Sequence, residues 1–296
     1  MHHWITSTSS TIGLVSGPDI EHIWQVVVPG QAQAHPYLMQ SLLALAAAHM
    51  AYLDKSQHAL FFGIARRHHI KASTLFRSHA TYALSQPKSV PALAFVILTG
   101  LTSLALLQDE GNNHLQFLDT LCLVRHSLRI GATCKRVAGT EDVNVANIMI
   151  GSEFHPNGLL DLDEQLKASL DILDSVNLAS STTSTARKST ISHAIRQTRG
   201  WYQCVPLHPP NLVYIPHWAI LVTDEYMNYL RDMDPVAIAL LAHWIVAVYN
   251  APKKWYISDW PERIVAIIAR RLGQIGPAAN NMIEWVLTQV PIPNVL

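Results

Sequence analysis

The chain has 296 residues, 49% of them hydrophobic, with 21 Lys and Arg against 21 Asp and Glu and only 14% charged. Zero net charge gives no bulk attraction for phosphate backbones or anionic lipid, and with the basic residues read as dispersed it argues against nucleic-acid binding. Three cysteines, Cys122, Cys134 and Cys204, are too few and too scattered for a disulfide framework or a Cys-rich zinc site, and are expected as free thiols of a reducing compartment.

The first residues lack the basic-then-apolar order of a secretory signal. Helical periodicity then dominates. Over residues 35–53, Leu38, Leu42, Leu45 and Met50 recur close to one helix face, with Pro36 near the first helical position. Residues 57–84 predict a long two-faced helix ending before Pro87, with basic residues among Leu60, Ile64, Leu75 and Tyr82. Pro91 opens the most apolar stretch, 91–107, which falls short of the ~20 apolar residues of a spanning helix and predicts a buried one. A helix over 114–130 is expected to stop at Gly131.

The middle is less regular: short helices over 140–150 and 163–173, a turn at 154–158, and a Ser/Thr-rich run over 179–190 expected as a mobile loop. A helix resumes over 192–197. The last third predicts helices over 211–231, 236–249, 261–272 and 277–289. Asp234-Pro235 reads as cap and first turn, and Arg270-Arg271-Leu272-Gly273 as a helix end. The fold class that follows is all-α: a multi-helix bundle with an apolar central cavity.

Chemical motifs are sparse. Sixteen histidines include the adjacent pairs His2-His3 and His68-His69, but neighbours on a helix diverge by ~100° and do not chelate from one face. His49 and His243 lie in apolar helices and read as core histidines. The acidic groups, among them Asp171 and Asp174, form no diphosphate-binding pentad, and no nucleophile elbow, P-loop or dinucleotide fingerprint occurs. No metal, cofactor or catalytic residue is therefore expected. The other anomaly is tryptophan: Trp244, Trp255, Trp260 and Trp285 crowd the stretch after Val236, and such rings line apolar cavities as well as cores.

The run from His35 through Ala51, HPYLMQSLLALAAAHMA, resembles the opening of the fungal-specific transcription factor domain of sterol-uptake-control-type regulators. Ile20-Glu21-His22-Ile23-Trp24-Gln25, Ala65-Arg66-Arg67-His68-His69 and Ala72-Ser73-Thr74-Leu75-Phe76-Arg77 fit the same pattern. Trp255-Tyr256, Asp259-Trp260-Pro261 and Ile283-Glu284-Trp285 look like that family's closing Trp-rich elements. The resemblance covers about 20–290, loosely over 131–201, leaving 1–19 as an extension and 291–296 as a tail. It implies a helical regulatory domain with a hydrophobic pocket for a sterol. In such regulators the domain follows a zinc cluster of six cysteines that reads DNA; here no Cys-x-x-Cys exists, so direct DNA binding by this polypeptide is not expected.

The expected function is accordingly a transcription-regulator-like protein of the nucleus, shared with the cytoplasm. It would bind an apolar, sterol-like molecule and act through a protein partner or homodimer, with secondary-metabolite genes as one setting; no membrane span is expected. Candidate pocket residues are Leu42, Leu45, Phe95, Trp244, Tyr249 and Trp255. A second reading is an enzyme of secondary metabolism acting on a hydrophobic intermediate, with His49, His243 or Asp259 carrying protons. A third is an interaction module that sequesters a full-length relative.

Overall fold

The computed structural model describes residues 1–13, 18–85, 90–108, 114–137, 149, 159–180 and 183–292. The short helix expected over 140–150 and the turn at 154–158 lie outside the described residues, Met149 excepted. Among those described the chain is all-α and multi-helical, without a strand. It divides into two compact units, which share the single span expected for 20–290. Unit 1 is Met1–Asn112, Cys122–His155 and Lys254–Ser258; unit 2 is Asn113–Leu121, Pro156–Lys253 and Asp259–Leu296.

Unit 1 is organised around α1 (Pro36–Leu53), against which α2 (His58–Ser85) and α3 (Val90–Leu106) pack. His35 is extended and Pro36 opens the helix, where its missing N–H costs nothing. Small buried side chains at Ala44, Ala46, Ala47 and Ala48 let the neighbouring helices come close. The chain leaves α1 at Asp54, whose carboxylate accepts from the Ser56 and Gln57 amides and turns it into α2. In α3, the Thr102 and Ser103 hydroxyls donate to the Leu98 and Thr99 carbonyls four residues back, which satisfies polar groups on a buried apolar helix.

The N-terminal segment packs in part into unit 1, and one expected helix end is corrected. Residues 1–19 are in part core: the helical turns Trp4–Thr8 and Ser9–Thr11 bury Trp4 and Thr8, and Trp4 Nε1 donates to the Trp24 carbonyl at 2.9 Å. An indole that size is more stable covered than solvated. Helix α4 (His114–Val137) does not stop at Gly131, which lies buried within it. Glycine inside a helix costs only about 1 kcal/mol against Ala, too little to end one that continues on both sides. Its first residues belong to unit 2 and the rest to unit 1.

In unit 2, α5 (Glu164–Ala179) starts at Asp163, whose carboxylate caps the Gln165 and Leu166 amides. The 179–190 run is not a loop throughout. Helix α6 (Thr185–Tyr202) begins within it, capped by the Ser184 hydroxyl on the Arg187 amide. Arg187 explains why: its guanidinium forms a fork with Asp234 at 2.6 and 2.7 Å and donates to Asn177 Oδ1 at 3.0 Å. Asn177 in turn holds the Lys188 carbonyl and Ser192. Asp234 also caps α8 (Pro235–Asn250) through the Val236 and Ala237 amides, so one carboxylate joins two helix starts.

The stretch 211–231 is broken rather than one helix. The turns Ile215–His217 and Trp218–Leu221 end at an extended Val222, and Thr223 caps α7 (Asp224–Arg231). Helix α9 (Trp260–Ile275) passes Gly273 and ends at Gly276, whose φ of 138° suits glycine. The 277–289 helix is likewise split, into Pro277–Asn280, Asn281–Ile283 and α10 (Glu284–Gln289). No single described helix is long and apolar enough to cross a membrane; α7 and α8 together have the length and composition but bend by 104°.

Candidate ligand-binding site

Leu38, Leu42, Leu45 and His49 recur at intervals of four, three and four, so they form one stripe along α1. All three leucines are fully buried and His49 is nearly so. At the end of the stripe Trp255 lies flat against His49, with ring centroids 4.8 Å apart and planes 28° from parallel. Tyr52 and Tyr256 flank Trp255 at 5.9 and 5.5 Å. The indole is fixed by its Nε1 donating to Thr11 Oγ1 at 2.9 Å, and its carbonyl accepts from the Gln108 amide. The N-terminal turn thus closes over α1 and carries His3 to within 5.2 Å of His49.

The hydrogen bonds set the chemistry of this pair. The Thr8 hydroxyl lies 3.4 Å from the His3 carbonyl and 3.2 Å from His49 Nδ1, so it bridges the two residues. Burial, then the nearby His3, pushes the His49 imidazole down to about 4, so it is neutral at pH 7. Burial likewise lowers His3. His3 Nε2 is buried with no hydrogen-bond partner among the described residues. A buried polar nitrogen left unpaired costs on the order of 1–3 kcal/mol, which a hydroxyl-bearing guest would recover.

Phe95, on α3, meets α1 at Tyr37, away from the stripe. It stacks on Phe76 at 4.1 Å, and Tyr37 meets both rings edge-on at 5.2 and 5.5 Å, a close-packed triad. Of the sequence candidates in unit 1, Leu42, Leu45 and Trp255 therefore share the His49 stripe, while Phe95 belongs to this separate cluster.

Trp244 and Tyr249 belong to unit 2. Trp244 stacks on Trp218 at 5.2 Å and 18°, donating to the Ile215 carbonyl; Trp218 donates to Thr198 Oγ1 at 2.8 Å. Tyr249 is half-exposed beneath the Lys253 ammonium, 3.9 Å from its ring centre. His243 donates from Nδ1 to the Ala239 carbonyl, and Ser169 Oγ reaches its Nε2 at 2.8 Å. That is the bonding order of a nucleophile and its base. Ser169 and His243 are both buried, Trp285 stacks on the imidazole, and burial holds His243 down at about 4. The pair reads as a satisfied core contact. Asp259 is exposed beside Arg263 at 3.5 Å, where a proton carrier for an apolar guest gains nothing from desolvation.

Sequence reasoning missed His3, Thr8 and Thr11 because the first residues read as an extension, and Tyr52 because it lies off the apolar stripe of 35–53; the signal at the N-terminus was Trp4 and His3 standing together ahead of a polar run. Among the described residues no group of three or more His, Cys, Asp or Glu side chains is placed to hold a metal ion. No protein-family model matches the chain, and comparison with curated proteins and with solved structures returns no match.

Proposed function

We propose that the chain is a regulator-like, ligand-sensing helical domain that takes an apolar, hydroxyl-bearing small molecule of sterol-like character in unit 1. Leu38, Leu42, Leu45 and Trp255 supply the apolar wall, and the His3–His49 pair receives the hydroxyl. The observation that carries this reading is the buried His3 Nε2, unpartnered among the described residues, beside a neutral His49 at the end of an apolar stripe. Support also comes from the low charge of the chain and from the resemblance of its 35–51 run to sterol-responsive regulators. Burying the guest would stabilise the bound arrangement by roughly 25 cal/mol per Å² of apolar surface, which biases the helical ensemble a partner protein reads.

A fluorescent sterol titrated into the folded protein tests this. Saturable binding at micromolar levels is expected, weakened at least ~10-fold by Trp255→Ala and unchanged by Trp244→Phe in unit 2. No saturable binding would overturn it. Turnover of a hydrophobic substrate, rather than stoichiometric capture, would favour the enzyme reading instead.

A further inference from the structure

Folding gathers basic residues that the sequence reads as dispersed. Helix α2 carries Arg66, Arg67, Lys71 and Arg77 and has no Asp or Glu anywhere from His58 to Ser85. At 100° per residue these four, with Ile70 and Thr74, fall within an arc of about 140° and span roughly 16 Å of helix. All six are exposed. None of the four cations forms an ion pair among the described residues, whereas Arg187, Arg199, Arg231 and Arg263 in unit 2 each meet an aspartate. The field they leave is felt locally: after burial, Lys71 and Arg67 are what hold His68 below its ordinary value.

Aliphatic groups share this surface. Ile70 sits among the cations 59% exposed, and Leu60, 55% exposed, lies near the same arc toward the helix start. Between them a side chain at Gly63 would meet nothing within 4 Å, so a partner backbone can approach closely there. This mixture selects among partners. A phosphate backbone uses the cations but leaves Ile70 and Leu60 uncovered. A bilayer needs a continuous apolar face to insert, not two side chains ringed by charge. A second copy of the same face would set like charge against like.

We propose that the outer face of α2 docks an acidic protein segment bearing aliphatic side chains, its carboxylates on Arg66, Arg67, Lys71 and Arg77 and its aliphatics on Ile70 and Leu60. The surface stands whether or not the interior of unit 1 takes a ligand.

Fluorescence anisotropy on the full chain tests it, with a fluorescein-labelled 15-residue helical peptide of alternating Glu pairs and leucines. Labelled duplex DNA and phosphatidylserine vesicles serve as the competing classes. Saturable peptide binding that weakens with added salt is expected, falling at least ~10-fold in Arg66→Glu/Arg67→Glu and severalfold in Ile70→Ser. The milder Arg67→Gln/Lys71→Gln variant, checked by circular dichroism for retained helix, guards against a folding artefact and should also weaken binding. No saturable peptide binding, binding indifferent to these variants, or tighter capture of the duplex or vesicles through the same residues would overturn the proposal.

Discussion

Acidification should destabilise this protein through His49 and His243 before its carboxylates titrate. Both imidazoles are held at about 4 by burial, against 6.5 for an ordinary histidine. Between those values the unfolded chain binds protons that the folded chain refuses, so stability rises with pH. This contribution is complete above 6.5, falls as the pH drops toward 4, and changes no further below. From 6.5 unfolded and about 4 folded, each histidine costs at most about 2 kcal/mol by pH 5 and about 3 kcal/mol by pH 4. Urea unfolding at pH 7, 6 and 5 reads the loss, and imidazole NMR over pH 4–8 assigns it. His49→Gln should make the decline between pH 7 and 5 shallower by its own share, the rest coming from His243 and from the other histidines that burial lowers, His3, His35, His68 and His69. Stability that stays level from pH 7 to 5, or either imidazole titrating near 6.5, would refute the reasoning.

Other expectations follow from single contacts. Arg187→Ala leaves Asp234 largely buried without its counter-ion and should cost about 3–5 kcal/mol in chemical denaturation. Phe95→Ala removes the ring packed on Phe76 and Tyr37 and should cost about 3–5 kcal/mol, with ligand binding at the His49 stripe largely retained. Gly200→Ala, in α6 with open space around the new methyl, should stabilise by about 0.5–1 kcal/mol and raise the thermal midpoint.

The long apolar helices were legible from the length and apolar composition of their runs, for α3 and α8 are buried on nearly every side. Pro36 and Pro235 mark the starts of α1 and α8, and Asp54 and Asp234 act as the caps their residue type favours. What failed were breaks and joins that depend on distant partners. The Ser/Thr-rich run reads as loop until Arg187 is seen to reach Asp234, 47 residues on. Gly131 and Gly273 read as helix stops, yet neither adopts a cap, because the helices around them continue, and α9 ends instead at Gly276 with its positive φ. At the site, Leu42, Leu45 and Trp255 were named as apolar candidates, but the polar end was not: Trp255 meets Thr11 across 244 positions, a contact no local pattern encodes. The basic face of α2 was missed for a related reason, since a charge count ignores the 3.6-residue turn that aligns Arg66, Ile70 and Arg77.

The most direct measurement follows the imidazole NMR signals of His3 and His49 while a sterol, and separately its parent hydrocarbon lacking the hydroxyl, is added to the full chain. Both histidines should shift with the sterol and saturate at one equivalent, and the hydrocarbon should bind more weakly. Signals that stay still at His3 and His49, or that move only at His243 in unit 2, would contradict the assignment of the polar end.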